Sequence, residues 1–193
     1  MTDPVTATHL PDRVDIIYGK RGQGKSVLLR RLQLTHPRPA VVIDVLWELT
    51  RRPQDVLLRP KSRGALWDVV ELACQWSAKV RDRVLVIDEC DAVIRPGGLM
   101  PPALSDAMSY GRHFGLDLIL AVRRPPDLPL KIAAQASDLW VFAQDVPRDR
   151  AYFRALGIDP ALFEVLPEHA FIHKRASKLA HVHSCPWTAC EGS

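Results

Sequence analysis

A glycine-rich stretch near the start of the chain, Tyr18 to Ser26, constrains this protein more than any other feature. It matches the pattern Gly-x-x-x-x-Gly-Lys-[Ser/Thr] at each fixed position, with Gly19, Gly24, Lys25 and Ser26 at the required spacing. Glycine lets the backbone curl tightly enough for consecutive N–H groups to converge on one point, and such a concavity binds phosphate. The stretch is therefore predicted to be a nucleotide-binding loop.

The residues on either side of the loop support this interpretation. An apolar run at 14–17 predicts a strand before the loop, and apolar residues at helical spacing follow it. The positive end of that helix would lie beneath the phosphates, Lys25 would reach the outer phosphates, and the Ser26 hydroxyl would bind Mg²⁺. The predicted nucleotide-binding residues are Gly19, Lys20, Arg21, Gly22, Gln23, Gly24, Lys25, Ser26 and Val27.

Composition narrows the class of protein. At 193 residues the chain suits one well-buried domain, and its net charge of +4 permits a polyanionic partner without requiring one. No apolar run approaches the ~18 residues of a transmembrane helix, so no membrane partner is expected. Four scattered cysteines do not form a secreted disulfide framework. We expect a cytoplasmic protein.

Apolar segments alternate with amphipathic ones along the chain. Strands are predicted at 14–17, 40–45, 84–87, 116–122, 138–142 and 171–172, and helices at 25–35, 67–80, 103–114, 130–136 and 147–156. This alternation predicts an α/β fold with a mostly parallel central sheet flanked by helices. We expect one domain over 1–178, with residues 1–11 poorly ordered, and a C-terminal tail over 179–193.

A second motif follows the apolar strand at 84–87, which ends in Asp88 and Glu89. A carboxylate at the carboxyl end of a buried strand can hold Mg²⁺ opposite the phosphate loop, and this is the role predicted for Asp88. Glu89 is then placed to activate a water molecule, which favours hydrolysis over transfer to a bound acceptor.

With these two motifs, the chain resembles the FtsK–HerA superfamily of P-loop translocases, particularly its viral DNA-packaging ATPase branch. The matching pieces are 19–26, 84–89, and 110–115 leading into 118–125. The resemblance implies a RecA-like P-loop NTPase of the ASCE type. It also implies a ring of identical subunits, Mg-ATP as substrate, double-stranded DNA as partner, a possible capsid or portal contact, and, for a viral protein, the host cytoplasm.

The resemblance also directs attention to three arginines. It implies that the strand at 116–122 lies between the phosphate-loop strand and the Asp88 strand, so that Arg123 or Arg124 would face the nucleotide. Where the family usually has a glutamine before Arg-Pro, this chain has Arg123, which would contact phosphate by charge. Arg112 is either a solvated helix residue or a finger that one subunit inserts into its neighbour's site.

A basic segment at 49–63 is predicted to be an exposed loop that contacts DNA phosphates. Because the sequence contains no module that reads bases, any DNA contact is expected to be with the backbone. The alternative is an ordinary solvated surface. The candidate DNA-binding residues are Arg51, Arg52, Arg59, Lys61 and Arg63.

The tail contains a candidate zinc site. His181, His183 and Cys185 alternate and would share one face of an extended strand, and Cys190 could supply a fourth ligand. The spacing fits no common zinc motif, and the alternative is an ordinary tail.

Together these features predict Mg-dependent ATP hydrolysis that drives DNA translocation, as in a genome-packaging motor. Two other functions stay open from the sequence. One is a small nucleotide or metabolite kinase, which Glu89 after Asp88 disfavours. The other is a non-catalytic assembly protein that is gated by nucleotide binding.

Overall fold

The computed structural model describes residues 13–94, 98–175 and 178–183. Its strands are β1 (Val14–Tyr18), β2 (Ala40–Ile43), β3 (Val56–Leu58), β4 (Arg83–Ile87), β5 (Leu116–Val122), β6 (Asp138–Phe142), β7 (Phe171–Arg175) and β8 (His181–His183). Its α-helices are α1 (Lys25–Thr35), α2 (Arg63–Val80), α3 (Pro102–Tyr110), α4 (Leu130–Ala133) and α5 (Pro147–Ala155). Among these described residues, no helix is both long and apolar enough to span a bilayer.

The strands form one eight-stranded sheet in the order β3-β2-β4-β5-β1-β6-β7-β8. Six neighbouring strands, from β3 to β6, run parallel, and β7 and β8 are antiparallel to their neighbours. The predicted α/β fold with a mostly parallel sheet is confirmed. The predicted place of β5 between β1 and β4 matches the observed order.

Both faces of the sheet are buried along its inner parallel strands, which explains why those strands are largely apolar. Along β1, Ile16 and Tyr18 belong to one hydrophobic cluster, and Ile17 belongs to the cluster on the other face. Helix α1 packs into the second cluster, whereas α2, α3 and α5 supply residues to the first. The core therefore fixes every strand in register, and the loops at the strand ends are built on a rigid base.

Three predicted elements differ from the structure. The segment 49–63 is not a single loop, because β3 lies within it and α2 begins at Arg63, where the Ser62 hydroxyl caps the N-terminus by accepting the Ala65 N–H. The helix predicted over 103–114 is α3 followed by a short 3₁₀ helix, Gly111–Phe114. Strand β8 pairs with β7, so the sheet continues past residue 178.

Charged side chains are concentrated at the edge of the sheet where the parallel strands begin. Asp15, Asp117 and Asp138 are each nearly inaccessible to solvent. Arg13 Nε lies 2.9 Å from Asp15 Oδ1 and 3.1 Å from Asp138 Oδ2, and the Arg13 N–H donates to Asp117. His173, which stacks on the Trp140 ring, also contacts Asp138.

Burial affects these carboxyl groups differently, depending on how many cations each one faces. Burial raises the pKa of Asp15 to about 7, because the opposing charge of Arg13 is offset in part by Asp138. For Asp138, burial also acts to raise the pKa, but His173, Arg13 and Arg175 outweigh it and hold the pKa below its usual range. Asp15 is therefore the acid in this network whose ionisation opposes folding at neutral pH.

This difference predicts a specific pH dependence of stability. A folded-state pKa raised above the unfolded value means that the folded protein binds the extra proton between about pH 4 and pH 7, so stability falls as pH rises through that window, by at most about 1.4 kcal/mol per pH unit. Asp15→Asn keeps an oxygen for Arg13 and Trp140 but cannot titrate. Its melting temperature, measured by calorimetry from pH 5 to 8, should fall less steeply than that of wild type. Exposed Asp106→Asn is the control, and equal slopes for Asp15→Asn and wild type would contradict the assignment.

Candidate nucleotide site

The glycine-rich loop connects the end of β1 to the start of α1. Gly22 and Gly24 have φ values of 83° and 99°, in the left-handed region that side chains other than glycine's rarely adopt. Gly24 also caps α1, so that Lys25 is the first helical residue. The loop therefore directs backbone N–H groups and the positive end of α1 at one point, as phosphate binding requires.

Phe142, at the end of β6, forms the floor of the loop. A Cβ atom on Gly19 would lie 3.1 Å from Phe142 Cδ2 and 3.2 Å from its Cβ, and one on Gly24 would also touch the ring. The Gly19 N–H donates to Val122 O at the end of β5. Gly19 is thus required by close packing, while Gly24 is required by backbone conformation.

Gln23 ties the loop to itself and to the sheet. Its Oε1 accepts the Lys20 N–H at 2.6 Å, and its Nε2 donates to Ala143 O at 3.0 Å. The Lys20 ammonium is paired with the exposed Asp145. These contacts stabilise the conformation of the loop, so Gln23 and Lys20 have a structural role here.

Lys25 and Asp88 meet at the centre of the site. Lys25 Nζ lies 3.9 Å from Asp88 Oδ1, and both side chains are buried. Asp88 Oδ1 accepts the Glu89 N–H, whereas Oδ2 is buried and has no hydrogen-bond partner among the described residues. Burial raises the pKa of Asp88 to about 6, against the opposing charge of Lys25.

This arrangement can be tested for its fit to Mg²⁺, which binds oxygen ligands and carries positive charge. The partnerless Asp88 Oδ2 is an acceptor at the edge of the sheet from which the loop and Ser26 arise. A cation there would supply the interaction that this buried oxygen lacks. The residues fit a magnesium-bound phosphate, with Asp88 and Ser26 as the groups that would hold the ion.

Glu89 has an unusual backbone. Its φ and ψ of 49° and 48° are left-handed, and it is 8% exposed as it opens the 3₁₀ helix Cys90–Ala92. A residue other than glycine in this conformation costs about 1–3 kcal/mol, and such strain concentrates at functional sites. The bend turns the chain immediately after β4, which places two adjacent carboxylates, Asp88 and Glu89, at the site.

The two arginines after β5 contact carboxylates on different elements, Arg123 in the turn after β4 and Arg124 on α5. Arg123 Nε and Nη2 lie 2.8 and 2.7 Å from Asp91 Oδ2, and Nη1 lies 3.8 Å from Glu89 Oε2. Arg124 Nη2 lies 3.8 Å from Asp149 on α5. The sequence placed both arginines at this edge correctly, but gave no indication of Asp91 or Asp149, because each partnership depends on which elements are neighbours.

Arg112 lies elsewhere. The 3₁₀ helix Gly111–Phe114 precedes β5 and so lies at the edge where the parallel strands begin. The seven residues of β5 span about 23 Å. The segment of Arg112 is therefore at the opposite edge of the sheet from the glycine-rich loop of its own chain.

The basic segment at 49–63 is more structural than its sequence indicates. Arg52 forms hydrogen bonds with both oxygens of Asp55, which is 2% exposed, and with the carbonyls of His36 and Arg38. Three of the Arg52 nitrogens are thus occupied within the fold. Contacts of this kind hold the segment against β2, and they leave Arg52 poorly placed for a phosphate.

The other basic residues of this segment differ in their solvent exposure and in their contacts. Arg59 donates to Asp44 and lies 5.1 Å above the Trp47 ring. Arg51 is exposed and makes one bond, to Asp55 O, and Lys61 is exposed. Arg63 begins α2. Of the four predicted DNA contacts whose side chains the structure describes, Arg51 and Lys61 are the exposed ones that form no ion pair with another described residue.

The predicted zinc ligands are only partly within the described structure. His181 and His183 lie on β8, two residues apart on one face, whereas Cys185 and Cys190 lie outside the described residues. Within the described part of the chain, no group of three His, Cys, Asp or Glu side chains could hold a metal. The zinc site stays a prediction.

Comparison with solved structures shows that the fold is shared with nucleotide-binding proteins. The genome packaging NTPase B204 of Sulfolobus turreted icosahedral virus 2, in complex with AMP, matches with a TM-score of 0.76 at 21% identity, covering 91% of this chain and 98% of the other. The chain has the fold of a P-loop ATPase. The resemblance stated from the sequence is thereby confirmed at the level of the fold. Neither a protein-family model nor a curated protein matches the sequence.

Two larger ATPases share the fold over part of their length. The pCW3 conjugation coupling protein TcpA matches with a TM-score of 0.63 at 16% identity, covering 90% of this chain and 60% of the other. The cytoplasmic domain of the type VII secretion ATPase EccC of Thermomonospora curvata matches with a TM-score of 0.58 at 17% identity, covering 89% of this chain and 23% of the other. At these identities the likeness establishes the architecture.

The contacts of Gln23 lead to a prediction for nucleotide affinity. Gln23→Ala removes both bonds that brace the loop, so the loop must be ordered by the ligand itself. We expect the dissociation constant for a non-hydrolysable ATP analogue to rise roughly tenfold, as isothermal calorimetry would show. Exposed Gln54→Ala is the matched control. If both variants bind like wild type, the bracing role is wrong.

Proposed function

We propose that this protein hydrolyses ATP with Mg²⁺ and uses the energy to move double-stranded DNA in genome packaging. The observation that carries the proposal is Asp88 Oδ2, a buried oxygen without a hydrogen-bond partner among the described residues, at the sheet edge that also presents Lys25 and Glu89. The fold likeness supports it, since B204 structures hold AMP, ATP-gammaS or AMPPCP.

The loop residues would bind and orient the nucleotide. The backbone N–H groups of the loop after Lys20 and the start of α1 would receive the phosphates, and the Lys25 ammonium would neutralise the outer ones. Ser26 and Asp88 would hold the ion. When bound, Mg²⁺ neutralises charge that develops on the phosphate oxygens. Holding the phosphates in line with the attacking water lowers the entropic part of the barrier.

Glu89 would act as the general base. It accepts a proton from the attacking water as the water oxygen bonds to the terminal phosphorus and the bond to the bridging oxygen breaks, releasing ADP and phosphate. Low exposure of Glu89 keeps bulk water from competing for the carboxylate. The strained backbone after β4 fixes the direction in which Glu89 leaves the sheet.

Glu89 should therefore matter more for turnover than for binding. In Glu89→Gln we expect ATP binding to be retained and turnover to fall about 10²–10⁴-fold, the usual worth of a general base. Lys25→Ala should weaken binding as well. Phosphate release and calorimetric binding, measured with and without double-stranded DNA, provide both readouts. Highly exposed Glu168→Gln is the control, and full activity in Glu89→Gln would refute the role.

Translocation requires partners that we propose by chemistry and by resemblance. The chain would assemble into a ring around DNA, with a capsid or portal component as a further partner. In such a ring Arg112 would act on a neighbour's nucleotide, because its segment lies at the opposite sheet edge from its own loop. An arginine supplied in this way is worth ~10³–10⁵ in rate in other P-loop enzymes.

Exposed cations in the 49–63 segment would grip the DNA backbone. Arg51 and Lys61 carry this role best, because Arg52 is bound to Asp55 and Arg59 to Asp44. Phosphate contacts are independent of base sequence and sensitive to salt. The proposed surface is therefore smaller than the whole basic segment.

A paired substitution tests this surface without disturbing the fold. Arg51→Ala with Lys61→Ala should weaken binding to double-stranded DNA, and the slope of log affinity against log salt should flatten by about 2, since each phosphate contact contributes close to one unit. Lys79→Ala with Arg154→Ala, also exposed, removes the same charge elsewhere. Equal slopes for the two double variants, measured by fluorescence anisotropy, would place the DNA contact on another surface.

A further inference from the structure

Arg123 faces two carboxylates at unequal distances. Its Nε and Nη2 hold Asp91 Oδ2 at hydrogen-bond distance, while Nη1 stops 3.8 Å from Glu89 Oε2. The guanidinium is a planar fork with five N–H donors, so one side can bind Asp91 while the other remains directed at Glu89. A shift of about 1 Å would bring Glu89 to hydrogen-bond distance.

Asp91 is built to hold this arginine. Its side chain is 3% exposed, and its second oxygen, Oδ1, accepts the Arg123 backbone N–H at 3.1 Å. The hydrogen bond from Arg123 to Asp91 also raises the pKa of the guanidinium. Asp91 lies two residues after Glu89, so the turn that follows β4 carries both acids. Arg123 follows β5, the strand that pairs with β4.

We propose that Arg123 is a positioning residue for Glu89, and that Asp91 governs how closely Arg123 holds it. This rests on the proposed role of Glu89 as general base. While Asp91 binds the arginine, Glu89 is steered by a nearby positive charge at 3.8 Å but accepts no hydrogen bond from it. If Asp91 lost its charge, Arg123 would close on Glu89, and a carboxylate in a charge-assisted hydrogen bond accepts a proton poorly.

This role differs from direct contact with phosphate. A phosphate contact would have to compete with the Asp91 bonds, and its loss would weaken binding of ATP more than of ADP. Steering of Glu89 instead affects the chemical step, so it should appear in kcat with little change in affinity. The two roles are thus separable by experiment.

The test compares Asp91→Asn, Arg123→Gln and the double variant. Asp91→Asn keeps an acceptor for the Arg123 N–H but removes the charge, so kcat should fall about 10- to 100-fold, the worth of a hydrogen bond to a charged group. Affinities for ADP and AMPPCP should change less than about threefold. In the double variant no arginine can capture Glu89, and kcat should exceed that of Asp91→Asn.

Two controls accompany these variants. Asp127→Asn removes a charge that also acts on Arg123 without an ion pair, and it should turn over like wild type. Asp91→Ser, also neutral, should reproduce Asp91→Asn, and melting temperatures identify any variant that fails to fold. If the double variant is slower than Asp91→Asn, the two residues act additively and the proposal is overturned.

A nucleotide-free measurement separates this proposal from the proposed function. The side-chain N–H resonances of Arg123, observed by NMR, should shift further when Glu89→Gln is added to Asp91→Asn than when it is added to wild type. No shift in either background would overturn the closing of Arg123 on Glu89. Unaltered turnover in Glu89→Gln would instead refute the general base, whatever the resonances show.

Discussion

Parallel pairing of the central strands is the constraint on which the site depends. Because β4, β5, β1 and β6 run in one direction, every chain segment that leaves them leaves at the same edge. The glycine-rich loop follows β1, the two acids follow β4, and Arg123 follows β5. Phe142 closes β6 as the floor of the loop. These segments are far apart in sequence, and the sheet brings them together.

The two edges of the sheet differ in how their buried carboxylates are paired. At the edge where the parallel strands begin, Asp117 and Asp138 are held by histidines and arginines that outweigh the effect of burial on their pKa. At the other edge, Asp88 keeps one buried oxygen without a partner among the described residues. Because an unpaired buried acceptor costs about 1–3 kcal/mol, the fold retains at Asp88 a cost that a bound cation would remove. The difference separates a structural charge network from the proposed magnesium site.

Local patterns predicted the parts of the fold that depend on local physics. The glycine spacing, the apolar strand before Asp88 and the alternation of elements each follow from residues close in sequence, and the structure has them. The partner of Arg59 is 15 residues away and that of Arg123 is 32 away, so neither could be read from a charge run. Strand β3 was missed because a three-residue apolar segment among arginines resembles a loop.

The presence of an arginine at position 123 illustrates how one residue changes its surroundings. A glutamine there could hold water or phosphate through a neutral amide and would need no counter-ion. An arginine beside two acids must be neutralised, and the turn after β4 supplies Asp91 for that purpose. Asp91 binds Arg123 more closely than Glu89 does, so the negative charge of Asp91 offsets much of the attraction between Arg123 and the proposed base. In the turn Glu89-Cys90-Asp91, the proposed base thus lies two residues from the carboxylate that binds the neighbouring arginine.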